Sequence, residues 1–146
     1  YYGGNSFSIG EIEPTVQSML IHMPLAINAA LFRPYITEAR NVMMMVSGLE
    51  NLFILLFTLY VLYKVKIIGI FKYFNKNSLL TFSLIFSLFF AFAVGISTSN
   101  FGSLVRYRIP LLPFYVSSLI IIRYLYEKEK TEKRELSYSY YKAITE

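Results

Sequence analysis

The run 77–105 contains no charged residue. It exceeds the ~20 apolar residues that carry an α-helix across a bilayer, and it is longer than any apolar segment a small soluble domain needs. A chain organised around such a run belongs in a membrane. Composition agrees: 55% of the 146 residues are hydrophobic and the mean hydropathy is +0.49, whereas an ordinary soluble domain holds roughly 45–50% apolar residues. Aromatic content is carried by 13 Phe and 13 Tyr, with no Trp. The absence of cysteine excludes disulfides, thiolate metal sites and cysteine nucleophiles.

The expected fold is all-α, a polytopic transmembrane helix bundle with three clear spans and one further membrane helix that is interfacial, re-entrant or spanning. Residues 1–13 read as a loop, because Gly3, Gly4, Asn5 and Gly10 break regular structure. Segment 14–36 is apolar but interrupted by Gln17, His22, Pro24 and Asn28, which favours an interfacial or re-entrant helix over a full span. Arg33-Pro34 ends it, since proline disfavours helix in the residue before it. Thr37, followed by Glu38, is the expected start of the next helix. The membrane domain 37–126 holds spans at about 42–63, 79–98 and 107–126, the last bent in its first turns by Pro110 and Pro113. Ser83, Ser87, Ala91 and Gly95 recur every four residues and form a small-residue seam for close helix packing. The tail 127–146 alternates acid and base and reads as a solvated helix with a frayed end. The chain begins at Tyr1 without a signal-peptide pattern, and it is expected to be the C-terminal part of a longer protein.

Charge sets the orientation. Lys64, Lys66, Lys72 and Lys76 lie between the first two spans, and Lys128, Lys130, Lys133 and Arg134 follow the third. The positive-inside rule places both regions on the cytoplasmic side of a membrane crossed several times, with the C-terminus inside. The loop 97–108 and the segment 33–41 are then outside. Arg33, Arg40, Arg106 and Arg108 therefore form a potential external cluster against the expected charge bias. Guanidinium groups hold phosphate or carboxylate bidentately and stay charged, so an anionic ligand is the implied partner, with Asn100 adding a donor nearby.

Glu50 lies about 12 Å along the first span, by the ~1.5 Å helical rise. A carboxylate at that depth faces a bundle interior or wet cavity. Glu50 and Glu38 are the candidate catalytic groups, as a general base or as orienters of an arginine. The lone His22 reads as a hydrogen-bonded packing residue. No phosphate loop, zinc-ligand spacing, nucleophile elbow or dinucleotide signature occurs, so no metal and no cofactor is expected. The mixed-charge tail lacks a nucleic-acid stripe.

The stretches Leu31-Phe32-Arg33-Pro34-Tyr35-Ile36-Thr37-Glu38-Ala39-Arg40-Asn41, Ser47-Gly48-Leu49-Glu50-Asn51 and Asn100-Phe101-Gly102-Ser103-Leu104-Val105-Arg106-Tyr107-Arg108-Ile109-Pro110 resemble the C-terminal region of bacterial multi-span envelope proteins. Those proteins are the polysaccharide polymerases and membrane glycosyltransferases that use polyprenyl-linked sugars. The resemblance implies cell-envelope polysaccharide biosynthesis, with Arg106 and Arg108 matching the external arginines that engage the diphosphate of a lipid-linked donor. Implied partners are membrane lipids, a polyprenyl-linked glycan or other anionic lipid, and other transmembrane helices from missing N-terminal spans or partner subunits. The competing expectation is a non-catalytic subunit or scaffold of a transporter or secretion complex, docking a partner through the small-residue seam.

Overall fold

The computed structural model describes residues 6–8, 10 and 13–145. Apart from an isolated antiparallel bridge between Ser6 and Asn100, regular structure among them is helical. The helices are α1 (Val16–Phe32), α2 (Val42–Phe74), α3 (Ser78–Ser97), α4 (Phe101–Tyr107) and α5 (Leu111–Thr145), with a 3₁₀ turn at Ile36–Glu38. Two of them, α2 and α3, are long and apolar enough to cross a membrane. A third crossing results if α4 and α5, bent by 62° at the break between them, are one broken span.

The starts of α1 to α4 are each set by a short polar side chain. Thr15, Asn41, Asn77 and Asn100 accept hydrogen bonds from the N–H groups of Ser18, Met44, Leu80 and Gly102, satisfying donors that the first helical turn leaves unpaired. The cap of α2 is thus Asn41, four residues beyond the expected Thr37, which lies inside the 3₁₀ turn. The proline-rich bend expected in the third span is a full break. Arg108 closes α4, and α5 starts after Pro110, whose missing N–H and fixed φ cannot continue the preceding ladder.

The helical connection after the first span also differs from the expected short link. Helix continues through residues 67–74 beyond a kink at Lys66 (φ 59°, ψ 157°). The backbone leaves helical geometry at Lys66, which divides the 33-residue helix there. Residues 127–145 prolong α5 without a break.

Packing follows the seams. On α2 the buried residues Met44, Gly48, Asn51, Ile54, Thr58, Val61 and Val65 fall at spacings of three and four, one stripe of a helix. The opposite face is exposed, and only 17% of the most apolar α2 window is buried against 33% for α3. Helix α3 lies between α1 and α5, and α5 also packs on α2. Ser83, Ser87, Ala91 and Gly95 are all buried. A Cβ on Gly95 would stand 2.1 Å from the Ala26 carbonyl oxygen, so α1 and α3 cross backbone to backbone there. The seam expected to receive a partner helix is therefore filled by the chain itself.

Helix α1 is shorter than a span at 17 residues. Its C-terminal residue Phe32 leads to Arg33, whose guanidinium lies 4.8 Å from the Phe7 ring and 5.5 Å from the Phe101 ring. Phe7 also donates its N–H to the Ser99 carbonyl at 2.9 Å. Residues 6–7, Arg33 and the start of α4 consequently gather at one end of the bundle.

Candidate functional site

That end collects every candidate site residue except Glu50, which lies two turns down α2. Each of the four arginines has a distinct environment. Arg33 forms a two-pronged ion pair with Glu38, its Nε donating to both carboxylate oxygens at 3.0 and 3.2 Å and its Nη2 adding a third contact. The Tyr35 N–H donates to the same carboxylate at 3.0 Å. Phe7, Phe101 and Tyr35 surround the guanidinium in cation–π contact. Burial pushes the Glu38 carboxyl up, yet the Arg33 hydrogen bonds, the Tyr35 N–H and the Arg33 charge together hold it below its ordinary range.

Arg108 points into the bundle and is fully buried. Its Nη1 donates to the Arg33 carbonyl at 3.2 Å and its Nη2 lies 3.6 Å from the Glu50 carboxylate. Asn51 donates to the next carbonyl, that of Pro34, at 3.0 Å. Two polar side chains, one from the α4–α5 break and one from α2, thus hold consecutive carbonyls of the Arg33-Pro34 connection, whose peptide bond is cis. The pairing expected of Arg106 and Arg108 as adjacent surface donors does not form. Glu50 is oriented by Arg108 on one side, while 54% of its side chain remains exposed on the outer face of α2.

Arg40 and Arg106 remain. Both are exposed, and neither has a hydrogen-bond or ion-pair partner among the described residues. Arg106 borders a groove of about 310 Å³ whose walls include Asn41, Met43, Met44, Ser47, Phe101 and Val105. Arg40 borders a smaller cavity of about 220 Å³, together with Ser6, Arg33, Thr37, Glu38 and Phe101. Phe101 lines both, so the two spaces adjoin across one ring. Asn100 is occupied as the α4 cap, its side chain accepting from Gly102 N–H at 2.7 Å. His22 bonds the Ser18 carbonyl through Nδ1 at 2.8 Å, a local helix contact.

Phe7 and Phe101 are central to this end, and the sequence offered no signal for either beyond their hydrophobicity. Among the described residues no group of three or more His, Asp or Glu side chains is placed to hold a metal ion. The chemistry available is cationic and amphipathic: a free guanidinium at the rim of an apolar groove, beside a polar cavity containing both signs of charge. Comparison of the chain with protein-family models, with curated proteins and with solved structures finds no match.

Proposed function

We propose that the chain is a bacterial envelope membrane protein whose outward-facing, arginine-rich end binds a polyprenyl-diphosphate-linked sugar for glycosyl transfer or polymerisation. The observation that carries this reading is the partnerless Arg106 on the rim of a groove walled by Met43, Met44 and Val105. A ligand that is apolar along its length and anionic at one point matches that combination, since guanidinium binds a diphosphate bidentately while the isoprenoid stays in hydrocarbon. Beyond Phe101 the Arg40 cavity receives what the diphosphate carries.

In glycosyl transfer an acceptor hydroxyl oxygen bonds to the anomeric carbon as the carbon–oxygen bond to the diphosphate breaks, and the hydroxyl proton passes to the departing diphosphate. Arg106 then stabilises charge growing on the departing diphosphate. Glu38, held ionised and fully engaged by Arg33, positions that arginine and does not serve as a proton acceptor. Lysines 64, 66, 72 and 76 on the opposite end support the orientation. A photoreactive residue at position 105 should cross-link to polyprenyl diphosphate in nanodiscs, and the product should fall sharply in Arg106→Gln. Equal cross-linking with and without Arg106 counts against the reading.

A further inference from the structure

The small cavity beside Phe101 has features that select among head groups. It is lined by Ser6, Arg33, Thr37, Glu38, Arg40 and Phe101 and encloses about 220 Å³, room for one six-membered sugar ring. Its charged groups are two guanidiniums and one carboxylate. Arg33 and Glu38 neutralise each other through their two-pronged pair, which leaves Arg40 as one uncompensated cation at the wall. The hydroxyls of Ser6 and Thr37 supply donors and acceptors of the kind that pair with sugar hydroxyls. A neutral sugar would leave the Arg40 charge unused, and a bare phosphate on Arg40 would leave the rest of the cavity, with the Ser6 and Thr37 hydroxyls, unfilled.

We propose that this cavity binds a pyranose unit carrying one carboxylate, an acidic sugar of the uronate type, with Arg40 on the carboxylate and Thr37 and Ser6 on ring hydroxyls. The inference deepens the reading of this end as a glycan-lipid site and rests on it for the sugar's lipid-linked origin. Its own evidence is the cavity and its charge balance. Arg40 is exposed and holds no partner among the described residues, so its replacement leaves the bundle intact.

The test is saturation-transfer NMR on the full chain in nanodiscs, with glucuronate, glucose and inorganic phosphate as separate probes. Glucuronate ring protons should receive saturation, glucose should receive several-fold less, and Arg40→Gln should reduce the glucuronate signal about tenfold while Arg106→Gln leaves it in place. Phosphate added at equal concentration should displace little glucuronate. Absence of glucuronate transfer, equal transfer from glucose, full displacement by phosphate, or an unchanged signal in Arg40→Gln would each overturn the proposal. Loss of diphosphate-lipid cross-linking at position 105 with glucuronate binding retained would instead overturn the broader function and spare the cavity.

Discussion

Arg106 and Arg108 are two positions apart, which on a helix is a rotation of about 200°. One consequently faces the groove and the other the bundle. This explains why the arginines were legible as a cluster in sequence and their division of labour was not: residue type and charge bias locate them, whereas direction depends on α4, a seven-residue helix inside a segment that reads as a loop. Arg33 and Glu38 are similarly close in sequence, but their pairing requires the turn after Pro34 to bring them face to face. Arg108→Ala should lower stability by about 1–3 kcal/mol, the scale for leaving a buried acceptor, here the Arg33 carbonyl, without its donor. Arg106→Gln should change stability by no more than about 0.5 kcal/mol, as an exposed substitution does. Thermal unfolding in detergent, followed by circular dichroism, separates the two expectations; similar midpoints for both variants would contradict the assignment of Arg108 to the fold.

At the lysine-rich end, Glu129 ties α2 to α5. Hydrogen bonds from Lys72, Lys133 and Tyr73, in that order of effect, pull its carboxyl from an ordinary 4.5 down to about 2. Because the folded value lies below the unfolded one, this contribution is fully present above pH 4.5 and is lost as pH falls toward about 2. A ¹³C-labelled Glu129 carboxyl should titrate by NMR with a midpoint near 2; a midpoint at 4.5 would show that the clamp does not form.

Helix identity was the most legible level, because long uncharged runs specify a hydrocarbon solvent irrespective of detail. Boundaries were harder. The Asn41 cap, the kink at Lys66 and the full break at residues 108–110 depend on local hydrogen bonds and backbone angles that hydropathy does not register. The small-residue seam was legible as a seam but not its occupant. Ala26, Ala29 and Ala30 on α1 are buried, and the Gly95 backbone lies against the Ala26 carbonyl. A Gly95→Leu change should force α1 off α3, because a Cβ at 2.1 Å meets backbone and not a movable side chain. Overpacking of this kind costs about 1–3 kcal/mol where the core yields, and more where it cannot. Engineered cysteines at positions 22 and 91, chosen one helical turn along from the Ala26–Gly95 crossing on each helix, should form a disulfide in the native chain. Undiminished cross-linking in Gly95→Leu would mean that α1 and α3 do not depend on this crossing.

Across the whole molecule, two kinds of arginine emerge at one end of a helical bundle. Arg33 and Arg108 lock the α1–α2 connection to the rest of the chain, and Arg40 and Arg106 stand free beside adjoining cavities. The exposed face of α2 is apolar apart from Glu50. The central claim is that Arg106 binds the diphosphate of a lipid carrier. Its most direct test is the dissociation constant for polyprenyl diphosphate, measured by native mass spectrometry of the chain released from nanodiscs. Loss of a hydrogen-bonded charged contact, worth about 1.5–3 kcal/mol, predicts that Arg106→Gln weakens binding by about 10- to 100-fold. An affinity unchanged by Arg106→Gln, in protein with the wild-type unfolding midpoint, would contradict the account.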